Sequence, residues 1–416
     1  MEEKIKIETK DYWFSLKSDV YVEFKENEIL LYNTLNGNHI KTKHAENILL
    51  IKQMYEPENL GAVSLSKAQL LNSAVNEFVN SIVAQDMGDL FDMEKTPKKP
   101  IRLIPILNLQ KDVEKISKRK ENEILLAKDT VHYLLELNIW LNDICDNKCQ
   151  YCNCYYRQIP CCTANNSKCE LPAGSIENIF QQIAHSPAGR VNILGGNVFK
   201  YNKLNELINI INPFKEIVHC CIHYKNYVKH ELTDNFKTEL IAAFPIDEAY
   251  LQNILRQANT EHTNIHFIIE NEEQYFKVEE IINELAIDKY EIHPFFTKQN
   301  TVFFEQNVYM SEEDILSKPL TMREIFRNQK LNANFFGKLN IMPNGAVFAS
   351  PNAEASGNIQ TDNILDLIYK ELIDNTSWRK IRDGEPCRNC LYQFICPSPS
   401  NYEFAIGKMN LCNYNN

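Results

Sequence analysis

The chain has 416 residues, enough for two or three domains that each bury a core. Its formal net charge of −11 argues against an extended nucleic-acid surface, so we expect no nucleic-acid partner. The N-terminus lacks a signal-peptide pattern, and no stretch approaches 18 uninterrupted apolar residues. We therefore expect a cytoplasmic protein that makes no use of a membrane.

The first hundred residues predict a small α+β domain, over residues 1–100. Residues 11–35 alternate as strands do, and the Asn-Gly-Asn at 36–38 predicts a turn. Residues 66–83 have helical spacing behind Ser66, a plausible N-cap. A stretch rich in lysine and proline at 95–100 marks a boundary, and a charged helix is expected at 109–128.

The middle of the chain alternates strand-like and helix-like segments, which predicts an α/β fold with a parallel sheet and helices outside it. In such sheets, ligands gather at the carboxyl ends of the strands. After residue 337 the pattern changes to a hairpin built on Pro-Asn-Gly, one helix at 361–375 and a cysteine-rich tail. The predicted strands of the middle region are 132–140, 190–196, 216–224, 248–255, 264–270 and 290–296, with helices at 175–185 and 272–286 between them.

Thirteen cysteines are distributed unevenly along the chain. None precedes residue 145, seven fall between 145 and 169, two stand at 220 and 221, and four fall between 387 and 412. In a reducing compartment structural disulfides are disfavoured, and cysteines that only fill a core would be scattered. The two outer groups therefore predict two metal sites.

The first group begins with Cys145, Cys149 and Cys152, directly after a predicted strand. Three thiolates within eight residues can hold three corners of one small cluster. Zinc sites more often use two separated cysteine pairs, so a set of three suggests a site left open at one metal atom. A zinc ion, or simple packing of the three thiols, is the alternative.

The spacing C-x3-C-x2-C, with Tyr151 before the third cysteine, resembles the signature of the radical SAM superfamily. The resemblance covers about residues 132–300 and implies a partial (β/α)6 barrel within a domain at 101–330. It implies that Cys145, Cys149 and Cys152 hold a [4Fe–4S] cluster whose fourth iron binds S-adenosyl-L-methionine. It also implies an electron donor such as a flavodoxin or ferredoxin, and hydrogen abstraction from a substrate.

The second predicted strand ends in Gly195-Gly196-Asn197, which is similar to the Gly-Gly-Glu-Pro motif of that superfamily. Glycines let a backbone approach a ligand closely, and the resemblance implies contact with the amino group of the cofactor. Asn197 stands where the family has glutamate. Its amide accepts a hydrogen bond but lacks the charge that would pair with an ammonium group.

The second group supplies four thiolates, Cys387, Cys390, Cys396 and Cys412, enough to close one cluster. It resembles the SPASM domain of peptide-modifying radical SAM enzymes and implies such a domain at 331–416. The match implies one auxiliary [4Fe–4S] cluster, because the hairpin carries no cysteine near Ala349 and Ser400 replaces another. A four-cysteine zinc site is the alternative.

The remaining cysteines and the histidines carry weaker signals. We expect Cys154, Cys161, Cys162 and Cys169 to be ordinary thiols, and at least one member of the Cys220–Cys221 pair to face the core. Histidines at or near strand ends are expected to be hydrogen-bonded structural residues rather than ligands. These are His219, His223, His262, His266 and His293.

Residues 12–19 and 30–37 near the start and 396–412 near the end together resemble a Bacteroidetes-type group of SPASM proteins associated with maturation of ribosomally made peptides. Some members, the pseudo-radical-SAM proteins, have lost the first cysteine triad, which this chain retains. The resemblance implies an enzyme that modifies a precursor peptide, with an N-terminal domain that either recognises the leader peptide or caps the barrel. A non-catalytic protein that holds precursor peptide for a partner maturase and a zinc-binding interaction protein are the alternatives. No catalytic side chain can be chosen from the sequence.

Overall fold

The computed structural model describes residues 10–103, 130–163, 167–374 and 376–414; the helix predicted at 109–128 lies outside them. The strands are β1 (Tyr12–Leu16), β2 (Val20–Phe24), β3 (Ile29–Asn33), β4 (His39–Thr42), β5 (Ala62–Leu65), β6 (Gly88–Asp92), β7 (Glu136–Trp140), β8 (Arg190–Leu194), β9 (Val218–His223), β10 (Lys237–Ala243), β11 (Thr263–Ile269), β12 (Tyr290–Pro294), β13 (Lys338–Ile341), β14 (Ala346–Phe348) and β15 (Gly357–Asn358).

The helices surround these strands. They are α1 (Ala45–Met54), α2 (Lys67–Leu70), α3 (Ser73–Ala84), α4 (Cys152–Tyr155), α5 (Ala173–Ile183), α6 (Leu204–Ile211), α7 (Glu231–Asn235), α8 (Glu248–Gln257), α9 (Glu272–Leu285), α10 (Thr301–Asn307), α11 (Glu312–Leu316), α12 (Met322–Asn328), α13 (Ile364–Asp374) and α14 (Asn401–Ile406). Within the described ranges, none of them is both long and apolar enough to cross a bilayer.

The N-terminal region forms two antiparallel three-stranded sheets, in the orders β5-β1-β6 and β2-β3-β4. The predicted turn joins β3 to β4, and Gly37 takes the left-handed φ of 79° that a residue with a side chain would resist. The helix predicted over 66–83 is divided into α2 and α3. The division follows from Asn72, whose side chain accepts a hydrogen bond from Ala74 N–H and so caps a new helix.

The sheet β2-β3-β4 buries both of its faces, as the two-residue alternation of a strand allows. Val22 and Leu31 point into a core shared with α1 and α3. Tyr21, Leu30 and Tyr32 point the other way and pack against Leu391 and Ile395, with α12 beside them. The N-terminal sheet therefore covers the cysteine-rich segment near the end of the chain.

A nine-stranded sheet forms the centre of the molecule, in the order β12-β11-β10-β9-β8-β7-β13-β14-β15. β7 to β12 are parallel and lie side by side in chain order, and β13 adds parallel to β7. This confirms the predicted α/β class and parallel sheet. A doubly wound sheet would reverse its strand order at a switch point, whereas these six strands run in one direction.

One segment of the sheet was predicted wrongly. Residues 248–255, expected to be a strand, lie in α8, and the fourth parallel strand is β10, which the prediction missed. The side chain of Asp247 accepts a hydrogen bond from Tyr250 N–H, which starts the helix, and the buried Leu251 and Ile254 share one helical face.

The two faces of the parallel sheet differ in chemistry. On one face, residues such as Ile193, Cys220 and Phe267 pack with α5, α6, α8 and α9 into the largest core. On the opposite face, polar and apolar residues follow one another along each strand, as at Glu239 and Ile241 of β10. The hairpin predicted at Pro-Asn-Gly is present as β13 and β14.

Candidate metal centres

The first cysteine motif lies in the loop that leaves the carboxyl end of β7, as the sequence predicted. Cys145 is buried, whereas Cys149 and Cys152 are partly exposed, and Cys152 begins the short helix α4. Asn142 ties the start of this loop to the end of β8, since its backbone oxygen accepts from Gly196 N–H at 2.9 Å. Its side-chain Nδ2 donates to the backbone oxygen of Asn197, also at 2.9 Å.

The thiol of Cys145 receives a hydrogen bond from a neighbouring strand end. Asn226 Nδ2 lies 3.4 Å from Cys145 Sγ and 3.3 Å from the backbone oxygen of Gly196. Asn147 Nδ2 donates to Asn226 Oδ1 at 2.9 Å, which fixes which way the buried Asn226 amide points. Asn226 therefore links the cysteine loop to the glycine pair.

His223, the last residue of β9, contacts Cys149. Its Nδ1 receives the backbone N–H of Lys225 at 3.2 Å and lies 3.3 Å from Asn147 Nδ2, so Nδ1 is an acceptor and the ring proton is on Nε2. That Nε2 lies 3.6 Å from Cys149 Sγ. Burial and the positive charge of Lys225 lower the pKa of His223 to about 4, so the ring is a neutral donor to sulfur.

The glycine pair is required by the cysteine loop itself. A Cβ added to Gly196 would lie 2.4 Å from the backbone oxygen of Ile144, while one on Gly195 would meet Asn142 Oδ1 at 3.2 Å. The side chain of Asn197 accepts a hydrogen bond from Phe199 N–H at 3.0 Å and so caps the turn that follows. Its oxygen keeps a second lone pair for another donor.

Tyr151 faces an apolar group at the carboxyl end of the sheet. Its ring centroid lies 5.2 Å from that of Phe295 and 6.2 Å from that of Tyr155. Ile241 and Ile268, from β10 and β11, belong to the same apolar cluster. One side of the cysteine loop is therefore dry and aromatic.

The four additional cysteines of the first group are not equivalent. Cys161 and Cys162 are buried with their sulfur atoms 3.7 Å apart. A hydrogen bond with Cys152 acts to lower the pKa of the Cys162 thiol. The hydrogen bond with Cys161 and burial outweigh it, so that pKa is well above its usual value. Cys154 is exposed, and the backbone N–H of Cys169 donates to Asp143 Oδ1 at 3.0 Å.

The spacing of the thiols differs from that of a four-thiolate zinc site. A tetrahedral zinc site with four thiolates holds its sulfurs about 3.8 Å apart. All thirteen cysteines lie in the described parts of the chain, and no three of their sulfur atoms come within 4.8 Å of one another. The thiols in the described parts of the chain are therefore not gathered as a four-thiolate zinc ion would hold them.

The second cysteine group is more enclosed than the first. Cys387, Cys396 and Cys412 are buried and Cys390 is partly exposed. Burial raises the pKa of Cys396 to about 12 against the opposing charge of Arg382. The Cys396 thiol is therefore protonated without metal, and binding a metal there would release its proton.

A buried arginine supplies positive charge beside this group. Arg382 Nη1 lies 3.9 Å from Cys387 Sγ, and its Nη2 donates to Glu403 Oε1 at 2.7 Å. The side chains of this ion pair are only 6% and 3% exposed. Four thiolates around a cluster leave net negative charge in a low dielectric, and the guanidinium offsets part of it.

The positions at which a further cluster would need cysteine have other roles. Ala349 is buried in the main core. Ser400 caps α14, where its hydroxyl accepts from Tyr402 N–H at 3.3 Å and pairs with Glu403. Neither residue can ligate iron as a thiolate does.

Sequence reasoning missed several residues that shape these sites, namely Asn142, Asn226 and Arg382. It placed His223 near a strand end but gave it no partner. One signal was available, since residues just beyond parallel strands converge at one edge of the sheet, which applies to Asn142, His223 and Asn226. No local sequence pattern identifies Arg382, because its partner Glu403 lies 21 residues further along the chain.

Comparison with solved structures found weak similarity over nearly the whole chain. The crystal structure of Streptococcus suis SuiB bound to precursor peptide SuiA is 14% identical, with a TM-score of 0.48, covering 97% of this chain and 99% of that one. SuiB bound to S-adenosylmethionine is 15% identical, with a TM-score of 0.44 and the same coverage. No family model and no curated protein matched. With scores below 0.5, function has to come from this chain's own residues.

Proposed function

We propose that this protein is a radical SAM iron–sulfur enzyme that cleaves S-adenosyl-L-methionine reductively and modifies a ribosomally made peptide. The observation that supports this most is the cysteine loop after β7, joined to the glycine end of β8 through Asn142 and Asn226. Cys145, Cys149 and Cys152 are the proposed ligands of a [4Fe–4S] cluster. When bound, that cluster supplies an electron to the sulfonium cofactor and leads to hydrogen abstraction from the substrate.

The residues around the loop have proposed roles in holding and screening that group. Asn226 and His223 donate hydrogen bonds to two of the thiols, which stabilises their thiolate forms. Gly195, Gly196 and Asn197 would face the amino end of the cofactor, and Tyr151 with its aromatic neighbours would exclude water from one side.

The proposed division of the chain gives each region one task. Residues 101–330 form the partial (β/α)6 barrel, and residues 331–416 form a SPASM-like domain with one auxiliary [4Fe–4S] cluster at its four cysteines. That cluster would orient the peptide or pass electrons to or from the first one, with a flavodoxin or ferredoxin as external donor. Residues 1–100 would recognise the leader, and β4 offers an outer strand of its sheet for β-augmentation.

Anaerobic reconstitution followed by a SAM-cleavage assay tests this proposal. The loaded protein should contain about eight irons and eight sulfides, as two cubane clusters require. After reduction it should convert S-adenosylmethionine to 5′-deoxyadenosine. Full iron loading without any nucleoside product would rule out the enzyme.

A second candidate function is a non-catalytic protein that holds precursor peptide for a partner maturase. The observation that favours it is Asn197, which is uncharged and already bonded to Phe199 N–H. This candidate predicts that a fluorescently labelled precursor peptide binds while S-adenosylmethionine stays intact. Zinc without iron or sulfide in anaerobically purified protein would exclude both candidates.

A further inference from the structure

A group of two histidines and a glutamate lies away from both cysteine sites. His266 on β11 and Glu291 and His293 on β12 bring three ligand atoms within 4.8 Å of one another, and no other such trio of His, Cys, Asp or Glu occurs in the described parts of the chain. His266 Nδ1 lies 2.8 Å from His293 Nε2. Glu291 Oε2 lies 3.8 Å from His266 Nδ1 and 3.5 Å from His293 Nε2.

These three distances are those of one face of a metal tetrahedron. Zinc bonds to nitrogen and oxygen are about 2.0–2.1 Å long, which places neighbouring ligand atoms about 3.3 Å apart in tetrahedral geometry. The observed separations bracket that value on both sides. Small side-chain rotations would bring all three atoms onto one ion.

Glu239, one strand away, fixes the lone pair that such an ion needs. Its Oε2 lies 2.8 Å from His266 Nε2, and because a carboxylate only accepts, that nitrogen carries the proton. The Asn264 amide lies 3.2 Å from the same nitrogen and can turn its oxygen towards it. In a neutral His266 ring the lone pair is then on Nδ1, which lies 2.8 Å from His293 Nε2. A carboxylate that orients a ligating histidine in this way is the usual second shell of a zinc site.

Glu239 is itself held as a carboxylate. Its Oε1 accepts from His219 Nδ1 and from Arg190 Nη2, both at 2.7 Å.

The trio lies on the same sheet face as the apolar cluster below the cysteine loop. His266 and His293 each precede by two residues a member of that cluster, Ile268 and Phe295, a step of about 7 Å along a strand. The Glu291 side chain is 57% exposed, so a fourth position would be open to water. The trio is separate from the thiols and accessible to solvent.

We propose that His266, Glu291 and His293 form a zinc(II) site with three protein ligands and one open position, oriented by Glu239. In the ion-free protein His293 Nε2–H donates to His266 Nδ1. When zinc binds, that proton moves to His293 Nδ1, so both facing nitrogens become ligands and no net charge is lost from the imidazoles. The site is independent of the proposed radical chemistry, and it holds or fails whether or not S-adenosylmethionine is cleaved.

The test is competitive zinc titration of cluster-loaded protein against a chromophoric chelator, since the seven proposed cluster ligands are then occupied by iron. Glu291→Gln removes a ligand from an exposed side chain, and Glu261→Gln is the matched control on an exposed loop residue. Wild type and the control should bind one equivalent of zinc, and Glu291→Gln should bind it more than 10-fold more weakly. Glu239→Gln should weaken binding about 10- to 100-fold.

A second measurement separates this site from residual thiols. Cobalt(II) bound to the same preparation should show visible d–d bands without thiolate charge-transfer bands, and His293→Gln should abolish them. Equal zinc affinity in wild type and Glu291→Gln, or a cobalt spectrum dominated by thiolate bands, would overturn the proposal. Cluster content and circular dichroism of each variant show that the fold is kept.

Discussion

The two cysteine groups surround their thiols with different charges. At the first, the donors to sulfur are the neutral Asn226 and His223, and the cation that acts on Cys149, Lys225, is exposed and screened by water. At the second, Tyr392 N–H donates to Cys390 Sγ at 3.4 Å, and Arg382, buried in an ion pair with Glu403, lies 3.9 Å from Cys387 Sγ. The first group offers three proposed ligand thiols on one loop, and the second offers four thiols from a folded tail.

This difference suggests how the two proposed clusters could serve different tasks. Three thiolates without a buried cation leave negative charge that a cationic ligand can neutralise, and S-adenosylmethionine carries both a sulfonium and an ammonium group. Four thiolates are already a complete ligand set, and the guanidinium beside them is already paired with Glu403. The first site therefore suits ligand binding, and the second suits structure or electron transfer.

Removing one thiol from each group should give the largest effect and the clearest contrast. Cys149→Ala should lose the irons of the first cluster and reduce 5′-deoxyadenosine formation to background, because the loop would retain only two thiolates. Cys390→Ala should lose the other irons but retain SAM cleavage. Iron counting and nucleoside chromatography measure both outcomes.

The exposed Cys154 provides the control for this pair of variants. Cys154→Ala should keep all irons and full cleavage. If Cys149→Ala retained its irons, Cys162, which contacts Cys152, would be acting as a replacement ligand and the site would not be open.

Loss of the buried arginine should destabilise the second region strongly. Arg382→Met leaves Glu403 buried without its partner, which typically costs about 3–5 kcal/mol. Urea unfolding of cluster-loaded protein measures this loss, and iron counting should show the second cluster depleted first. Lys41→Met breaks a partly exposed pair with Glu312 and should cost about 0–1 kcal/mol. Equal losses in the two variants would contradict the assigned role of Arg382.

The sequence predicted much of the central fold because its signals are local. β8, β9, β11 and β12 have apolar runs bounded by turn residues, and the cysteine spacing lies within one loop. β10 was missed because its start, Lys-Thr-Glu, looks polar; Glu239 is buried only through partners on β8, β9 and β11. These partners lie up to 76 residues apart in the sequence, so no short segment of sequence shows that Glu239 is buried.

The same limit applies to the sites. Cysteine identity and spacing were readable, but the donors to those thiols come from other strands and their pairing depends on register. His266 and His293 were expected to be structural histidines, and their distance from each other became visible only once β11 and β12 paired, with His266 opposite Glu291. Side-chain convergence across parallel strands is a tertiary property.

Substitution of Gly196 should lower the iron content of the first cysteine site alone, and the effect should be smaller than those above. A Cβ there would meet the Ile144 backbone at 2.4 Å, so Gly196→Ala must displace the cysteine loop, at a cost of about 1–3 kcal/mol. We expect reduced iron at the first cluster and unchanged iron at the second, measured by Mössbauer spectroscopy. Gly189→Ala, which meets nothing within 4 Å, is the control. Normal loading of Gly196→Ala would show that the loop is not held by this contact.

Substitution of His223 should produce the smallest effect, a shift in the midpoint potential of the first cluster only. The Nε2–H of His223 faces Cys149 Sγ, and hydrogen bonds to ligating sulfur stabilise the reduced cluster. His223→Phe removes a bond worth about 1 kcal/mol, which for a one-electron couple lowers the midpoint potential by about 40 mV. His223→Gln, which keeps an N–H donor, should recover part of the shift, as measured by redox titration followed by electron paramagnetic resonance. The second cluster should keep its potential in both variants, because the thiol that His223 contacts, Cys149, belongs to the first group. A shift of both clusters, or of neither, would mean that the neutral donors do not distinguish the two sites.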